Sequence, residues 1–321
     1  MDPVVSLIVP AYNSEKYILE AFSSFAAQDF REPYEVIAVI DPSTDKTAEM
    51  AENFAKTHPN FKIILNEPKL GLGKSRLKAI SKAKGEYVAF ADADDVLSTC
   101  ALRTFVEAMR KTGADCVNCS FKILHSKSDG TEVKRSNPFV LQKTLTREQA
   151  VGEYLADRRI RGFLWTKIYK RSVLNSRPIL VLNEPTDMFE DVAINFTFIC
   201  HCQRVAVIKD ALYYYRKGVP GSNTTIKRTD RAIRHLIVFA MMRLFLEKFT
   251  TKKLLNIYYK HLDAMSLSLL FDEMLDKRAG GDAAANKKLV SEQFKFLKAK
   301  GKPLPIQGTV WEETSNRCFL F

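Results

Sequence analysis

The chain has 321 residues, of which 46% are hydrophobic, and its formal net charge is +12. This length predicts two domains, or one large domain with an appendage, and the apolar fraction is enough for a real core. The six cysteines show no disulfide framework. No secretory signal is predicted, and the apolar run 236–246 is about half a membrane span. We therefore expect a soluble, cytoplasmic protein.

The first 120 residues alternate between short apolar runs and amphipathic segments. Strands are predicted at residues 4–10, 34–40, 61–65, 86–90 and 115–123. Helices are predicted between them, at residues 15–28, 44–58, 73–84 and 98–113. Strands joined by single helices favour an α/β fold with a mostly parallel sheet, and the near-continuous apolar strands require helices on both faces.

After residue 120 the alternation gives way to a hairpin-like stretch with a turn at Asp129-Gly130. A helix at 147–158, the run FLWTKIYKRSVL, a helix at 189–200 and a strand at 204–210 follow. After residue 228 the pattern is helical. We place a domain boundary near residue 225, which separates a first domain (1–225) from a helical C-terminal region (226–321).

The positive charge is concentrated in the C-terminal part. From residue 201 onward, Lys and Arg outnumber Asp and Glu about two to one. Such a basic surface favours polyanions, anionic lipid head groups or phosphorylated small molecules, although a solvated face without a partner is an alternative. Bracing of the first domain, homo-oligomerisation and docking on a membrane surface are all open uses for the C-terminal helices.

Polar residues follow three of the predicted parallel strands. Seven residues hold these positions: Pro10, Ala11 and Tyr12 after the first strand, Asp41 after the second, and Asp92, Asp94 and Asp95 after the fourth. The carboxyl ends of parallel strands share one edge, where open α/β sheets bind ligands. Crowded carboxylates repel unless a cation joins them, and Mn²⁺ or Mg²⁺ takes carboxylate oxygens and substrate phosphates. A nucleotide diphosphate is the ligand this suggests, with a solvated loop as the alternative.

Two short motifs resemble nucleotide-binding loops without meeting their requirements. The stretch GLGKS ends like a P-loop, but Pro68 stands where the first glycine is needed. The first strand-to-helix turn, PAYNSEK, contains no glycine and cannot cradle a dinucleotide in the Rossmann manner.

The segments VSLIVPAYN, YEVIAVIDPSTDKT and GLGKSRLKAISKAKGEYVAFADADD, in this order, closely resemble the opening of glycosyltransferase family 2. The resemblance covers about the first 100 residues and resumes more loosely at WTKIYKRSVL, MFEDVAIN and ALYYYRKGVPGS. It implies the GT-A fold, a nucleotide-activated sugar donor, and transfer with inversion at the anomeric carbon.

The resemblance also implies roles for individual residues. Pro10, Ala11 and Tyr12 would pack against uracil and ribose, Asp41 would accept the uracil N3–H, and Arg76 would lie near the nucleotide. Of the D-x-D stretch, Asp92 would lie by the ribose, Ala93 would belong to the nucleotide-sugar site and Asp94 would bind the metal. Asp191 would be the catalytic base beside Glu190, and Arg216 and Ser222 would close on the diphosphate. Ile40 and Pro42 depart from the family pattern, which leaves the nucleotide base open.

The function implied is an inverting, metal-dependent transferase with a UDP-sugar donor and Mn²⁺ or Mg²⁺ as cofactor. Its acceptor would be a hydroxyl of a cell-surface glycan, a polymer or a lipid-linked precursor, reached from the cytoplasm or from the inner face of the membrane. A nucleotidyltransferase is one alternative, although such enzymes normally have a glycine-rich basic loop after the first strand, which this sequence lacks. A non-enzymatic polyanion-binding protein is the other, but the excess charge lies away from the carboxylates, so nucleic acid is not expected.

Overall fold

The structure is a computed structural model that describes residues 2–127, 130–135, 142–176, 178–180, 189–219 and 231–261, with Lys288 and Ser291. The chain divides into two compact units. The first comprises Met1–Arg147, Phe163–Ser176 and His201–Pro220, and the second Glu148–Gly162, Arg177–Cys200 and Gly221–Phe321. The predicted boundary near residue 225 lies outside the described residues and stays a prediction.

Ten strands, nine α-helices and one 3₁₀ helix (Leu164–Thr166) have their bounds within the described residues. The strands are β1 (Val5–Ala11), β2 (Tyr34–Ile40), β3 (Phe61–Leu65), β4 (Tyr87–Phe90), β5 (Val96–Leu97), β6 (Cys116–Lys127), β7 (Gly130–Arg135), β8 (Lys143–Thr146), β9 (Lys167–Lys170) and β10 (Arg204–Lys217). The helices are α1 (Ile18–Ala26), α2 (Thr47–Thr57), α3 (Leu72–Lys82), α4 (Ala101–Thr112), α5 (Arg147–Leu155), α6 (Arg171–Leu174), α7 (Glu190–His201), α8 (Arg231–Phe249) and α9 (Lys252–Lys260).

The N-terminal half of the first unit's sheet is parallel, as predicted. Its strands lie in the order β3-β2-β1-β4, and each neighbouring pair is parallel. The register sets Ala11 beside Ile40 and Ile8 beside Phe90, so the carboxyl ends of β1, β2 and β4 lie at one edge. The loops that carry the predicted site residues leave the sheet from this edge.

Beyond β4 the sheet is mixed. Strand β9 inserts antiparallel between β4 and β6, and β10 pairs parallel with β6 but antiparallel with β5 and β8. Strands β6 and β7 form the predicted hairpin, whose turn lies outside the described residues. Because β9 reaches its partners from far along the chain, the helix–strand alternation that predicted parallel neighbours does not apply to it.

Helices cover both faces of the parallel half. Side chains of Leu7 and Val9 on β1 join an apolar cluster that includes Phe22 of α1, Ala51 of α2 and Phe105 of α4. Helix α3 packs on the other face, against β1 and β2. All seven residues of β1 are buried, which explains why the strand reads as a continuous apolar run rather than an alternating one.

The second unit is helical in its described part. The Phe196 ring on α7 lies 5.7 Å from the ring of Tyr154 on α5 and 6.3 Å from that of Phe245 on α8. Tyr258 of α9 donates a hydrogen bond to the carbonyl of Phe239 at 3.0 Å, which joins α9 to α8. Among the described residues, no helix combines the length and apolar character that crossing a bilayer requires.

Candidate active site

The loops after β1 and β2 are bonded to each other at the carboxyl edge. Asn13, in the left-handed region with φ +47°, donates its N–H to Ser43 Oγ at 3.1 Å. The Asn13 Oδ1 accepts the N–H of Thr44 at 2.9 Å. Tyr12, the first residue beyond β1, is 39% exposed and carries the Lys69 ammonium 3.6 Å from its ring centroid. The edge therefore presents one aromatic ring, while Pro10 and Ala11 lie buried in the strand below it.

The carboxylate of Asp41 is buried and receives hydrogen bonds from neutral groups. Its Oδ1 accepts from Asn66 Nδ2 at 2.8 Å, from the Leu70 N–H at 3.1 Å and from Ser75 Oγ at 3.4 Å. Its Oδ2 accepts from the Gly71 N–H at 2.8 Å. Gly71 has φ +78°, a conformation that glycine adopts without strain. Asp41 thus holds the turn that precedes α3.

Two of the three aspartates after β4 are bonded to fixed partners. Asp92 Oδ1 accepts from Arg76 Nη2 of α3 at 3.0 Å, and the Asp92 N–H donates to the Tyr213 hydroxyl at 3.0 Å. The same hydroxyl donates to Asp95 Oδ2 at 2.7 Å. Tyr213 lies on β10 and is fully buried. The acidic loop is therefore joined to α3 on one side and to β10 on the other.

Asp94 carries the unbalanced charge of this loop. Burial, together with the charge of Asp92, raises the pKa of Asp94 to about 6, against the opposing effect of Arg216. Burial and the charges of Asp94 and Asp92 likewise raise the pKa of Asp95 well above its usual range. No ion pair to the Asp94 side chain is formed by the described residues. This carboxylate is the one that an added cation would relieve.

The donor set at this loop fits a hard divalent cation that is shared with a substrate. Carboxylate oxygens of Asp92 and Asp94 are ligands that Mn²⁺ and Mg²⁺ prefer, and Mg²⁺ commonly uses one or two carboxylates with substrate phosphates. In the part of the chain that the structure describes, no three His, Cys, Asp or Glu side chains are grouped to hold a metal ion. A cation bound here would therefore take its remaining ligands from substrate or water.

Arg216 lies across the acidic loop at the end of β10. Its backbone N–H donates to Asp95 Oδ1 at 2.6 Å, and its side-chain Nε donates to the backbone carbonyl of Asp94 at 2.9 Å. Its Nη2 donates to Glu20 Oε2 of α1 at 2.7 Å, and the guanidinium carbon lies 5.1 Å from the Tyr17 ring centroid. The predicted Ser222, six residues further on, lies outside the described residues.

Glu190 and Asp191 belong to the second unit, where they open α7. Phe189, just before them, has φ +61°, which is unusual for a bulky residue. Helix α7 is fixed by the Tyr154 hydroxyl, which donates to the Val192 carbonyl at 2.7 Å. Burial first, and then the negative charge of Asp191, raises the pKa of Tyr154. The positive end of a helix dipole favours the anionic form of an acid in the first turn.

The structure adds residues to the site that sequence reasoning left without a role. Asp95 follows β4 in the sequence, yet nothing in the residues around it indicates that it binds Tyr213 and the backbone N–H of Arg216. Glu20 reaches Arg216 across 196 residues of sequence, and no local signal marks such a pair. Lys69 meets Tyr12 because the Asp41 hydrogen bonds fix the turn beside it.

Comparison with known proteins identifies the family that the sequence motifs resemble. The family model described as Glycosyl transferase family 2 matches residues 6–175. The uncharacterized glycosyltransferase EpsJ of Bacillus subtilis is 28% identical over 238 residues, which are 74% of this chain and 67% of EpsJ. The poly(ribitol-phosphate) beta-N-acetylglucosaminyltransferase TarS of Staphylococcus aureus is 30% identical over 231 residues. These span 70% of this chain but 38% of TarS.

Solved structures give the same fold. Residues 1–349 of S. aureus TarS, in complex with UDP-GlcNAc, match with a TM-score of 0.59 and 21% identity over 92% of this chain and 90% of that one. The mannosyltransferase PcManGT of Pyrobaculum calidifontis, in complex with GDP-Man and Mn²⁺, matches with a TM-score of 0.57 and 18% identity, covering 93% and 86%. The predicted fold is thereby confirmed, and because the family model spans more than half of the residues, the chain belongs to glycosyltransferase family 2 with a GT-A fold.

Proposed function

We propose that this protein is an inverting, metal-dependent glycosyltransferase that moves a sugar from a UDP-sugar to a hydroxyl group of a cell-envelope acceptor. The observation that carries the proposal is the acidic loop after β4. There Asp92 and Asp95 have fixed partners, whereas Asp94 retains a carboxylate with a raised pKa and no paired cation among the described residues. That arrangement suits a divalent cation held together with a diphosphate.

The donor would bind along the carboxyl edge of the first unit. Tyr12 offers an exposed ring to the base, and Asp41 Oδ2 accepts one hydrogen bond here, which leaves capacity for the uracil N3–H. Arg76 would contact the nucleotide directly or act through Asp92, to which it is bonded. Two related structures support a nucleotide-sugar donor, since TarS holds UDP-GlcNAc and PcManGT holds GDP-Man with Mn²⁺.

The cation would be held by Asp94 with Asp92 beside it. Bound there, Mn²⁺ or Mg²⁺ supplies positive charge to the diphosphate as the glycosidic bond breaks. Arg216 lies across the same loop, where its guanidinium is available as a second source of positive charge. A leaving diphosphate gains negative charge in the transition state, so both contributions lower the barrier more than they strengthen ground-state binding.

Asp191 is the proposed base. The acceptor hydroxyl is a weak nucleophile, and a carboxylate that removes its proton during attack makes the one-step displacement feasible. Asp191 lies in the first turn of α7, where the helix dipole favours an anion, and Tyr154 holds the backbone of this turn through the Val192 carbonyl. Glu190, which is 5% exposed, would orient the acceptor or the sugar rather than exchange protons with solvent.

The acceptor class rests on the relatives. TarS acts on poly(ribitol-phosphate), as its name states, and this supports a cell-envelope polymer, a surface glycan or a lipid-linked precursor as acceptor. The matched region covers 38% of TarS, so the proposal extends to the class of acceptor and not to a particular sugar or linkage. A cytoplasmic location, peripheral membrane association and homo-oligomerisation through the C-terminal region stay predictions. Family membership favours the transferase over both alternatives, the nucleotidyltransferase and the polyanion-binding protein.

The proposal is tested by measuring UDP binding and the slow hydrolysis of a panel of UDP-, GDP- and dTDP-sugars, with Mn²⁺ or with EDTA. We expect UDP to raise the melting temperature only when Mn²⁺ or Mg²⁺ is present, and one UDP-sugar to be hydrolysed. Asp94→Ala should abolish the metal-dependent rise. Asp191→Asn should keep it and lower transfer or hydrolysis by about 10²–10⁴-fold, the usual contribution of a general base.

The matched control is Asp29→Asn, an exposed aspartate on the first unit, which should behave like the wild-type protein in both assays. Absence of a UDP-induced shift in the wild-type protein at any metal concentration, together with no hydrolysis of any nucleotide sugar, would refute the proposed function. Full activity in Asp191→Asn would remove this residue from the role of base.

A further inference from the structure

Arg216 is held by three separate parts of the first unit, through its backbone and two nitrogens of its guanidinium. Strand β10 supplies the backbone, which is fixed where the Arg216 N–H donates to Asp95 Oδ1 at 2.6 Å. The acidic loop accepts the Nε hydrogen at the Asp94 carbonyl, at 2.9 Å. The first turn of α1 contributes Glu20, whose Oε2 accepts from Nη2 at 2.7 Å, and the preceding Tyr17 ring lies 5.1 Å from the guanidinium carbon.

These contacts occupy two of the three guanidinium nitrogens and leave the third for a ligand. Nη1 of Arg216 takes no hydrogen-bond partner among the described residues, and the side chain is 9% exposed. A planar guanidinium fixed at Nε and Nη2 has a fixed direction for its Nη1 hydrogens, because the group is rigid. Such prior fixation reduces the entropy that an arginine loses when it binds an anion.

The ion pair with Glu20 contributes little to stability. The Glu20 side chain is 57% exposed, although that of Arg216 is 9% exposed, and solvent screening at the exposed partner weakens such an ion pair. Its place in the first turn of α1 also favours a carboxylate without Arg216. The effect of this pair should therefore be found in the orientation of Arg216 rather than in the stability of the fold.

The surroundings of Arg216 are strongly acidic. Glu20, Asp92, Asp94 and Asp95 all lie near it, either bonded to it or within the loop that it crosses. A free anion that approached Arg216 would be repelled by these carboxylates, whereas a diphosphate that arrives with a divalent cation has most of its negative charge compensated. The arrangement suits a metal-complexed diphosphate and disfavours free phosphate.

We propose that Glu20 is a positioning residue for donor binding: it holds the Arg216 guanidinium so that Nη1 meets the diphosphate of a metal-complexed nucleotide. This inference rests on the proposed function, because it assumes that the ligand at the acidic loop is a nucleoside diphosphate with its cation. It assigns a role to an exposed side chain on α1 that contacts Arg216.

The test measures the dissociation constant of UDP by calorimetry, in Mn²⁺, for Glu20→Ala, Glu20→Gln, Arg216→Gln and the double variant Glu20→Ala/Arg216→Gln. Glu20→Ala should weaken UDP binding about tenfold, the size of one lost charge-assisted hydrogen bond. Glu20→Gln keeps an oxygen that accepts from Nη2 and should lose less. In the Arg216→Gln background, Glu20→Ala should change affinity less than about twofold, because its effect passes through the arginine.

The control is Glu52→Ala, which removes an exposed glutamate of α2 and should leave UDP affinity unchanged. Glu20→Ala should melt within about 2 °C of the wild-type protein, so a loss of affinity is not a loss of fold. Unchanged binding by Glu20→Ala overturns the inference, and so does tighter binding, which would mean that Glu20 competes with the diphosphate. If the wild-type protein binds no UDP at all, the proposed function fails first. If it binds and Glu20→Ala binds equally, only the role of Glu20 fails.

Discussion

The loops after β2 and β4 both place aspartates at the carboxyl edge of the same sheet, but their carboxylates have different partners. Asp41, after β2, receives four hydrogen bonds from two backbone N–H groups, an amide and a hydroxyl. After β4, Asp92 is bonded instead to Arg76, and Asp95 to Tyr213 and the backbone N–H of Arg216. The pKa values of both Asp94 and Asp95 are raised, and Asp94 has no ion pair among the described residues. Both loops therefore carry aspartates at the same edge of the sheet, but neutral donors surround Asp41, whereas the loop after β4 gathers several charged groups.

This difference separates a carboxylate that protein donors already stabilise from one whose charge the protein does not balance. Backbone and amide donors stabilise Asp41, which holds the turn at Leu70 and Gly71 before any ligand binds. After β4, several negative charges share a small volume, and the protein balances them incompletely. These unbalanced negative charges destabilise the free protein, but they favour the binding of a cation. Such an arrangement is typical of a binding site rather than of a structural feature.

The comparison is tested most strongly by Asp41→Ala. The substitution leaves two backbone N–H groups, Asn66 and Ser75 without their acceptor in a site that is 4% exposed. Each unsatisfied buried donor costs about 1–3 kcal/mol, partly recovered through water, so we expect a loss of about 3 kcal/mol in unfolding free energy, measured with urea. Asp29→Ala, at an exposed position, is the control. A loss below about 1 kcal/mol with abolished UDP binding would show that Asp41 is mainly a ligand group, which would break the distinction.

A smaller effect on stability is expected at Asp92, which lies in the acidic loop but, like Asp41, has a fixed partner. Asp92→Asn removes the negative charge opposite Arg76, whose side chain is 4% exposed while that of Asp92 is 28% exposed. Loss of one partner from a buried pair costs about 3–5 kcal/mol, and the partial exposure of Asp92 reduces this to about 2 kcal/mol. The matched control is the exposed pair of Arg103 and Asp29, where Asp29→Asn should cost under about 0.5 kcal/mol in the same urea titration. Equal costs at the two pairs would show that burial of Arg76 does not matter.

Much of the first unit could be predicted from sequence because its signals are local. Continuous apolar runs marked β1 to β4, and helix-period spacing marked the helices between them. Strand β9 was not placed, since its antiparallel pairing with β4 and β6 depends on residues more than forty positions away, such as Ala89 beside Ile168. Nothing within the four residues KIYK selects those partners over others.

For the site, the sequence indicated which residues gather at the edge but not which of them have satisfied charges. The carboxyl-end rule brought Asp41 and the aspartates after β4 to one edge, as the structure has them. Their partners come from distant segments of the chain. Asp41 is bonded to the turn at Leu70, Asp95 to Tyr213, and Arg216 to Glu20. Hydrogen bonding at this range is set by tertiary packing, so the difference between the two loops could be found only in three dimensions.

The smallest of the expected effects reverses the usual direction of a polar substitution. Burial and the charge of Asp92 raise the pKa of Asp94 from 3.8 to about 6, so between these values the folded protein retains a proton that the unfolded chain has released. The contribution of Asp94 to stability therefore falls as the pH rises through this window, and the full penalty is present at pH 7. In EDTA, Asp94→Asn removes the penalty and should be more stable than the wild-type protein at pH 7, by about 1–2 kcal/mol once partial solvation is allowed for. The unfolding free energies of the two proteins should converge near pH 4, while that of Glu52→Gln should equal the wild-type value at every pH.

Adding Mn²⁺ with UDP should reverse the order of the two stabilities at pH 7, because only the carboxylate of the wild-type protein is stabilised by the cation. A difference that does not change with pH would mean that Asp94 is well solvated, and the loop after β4 would then differ little from the loop after β2.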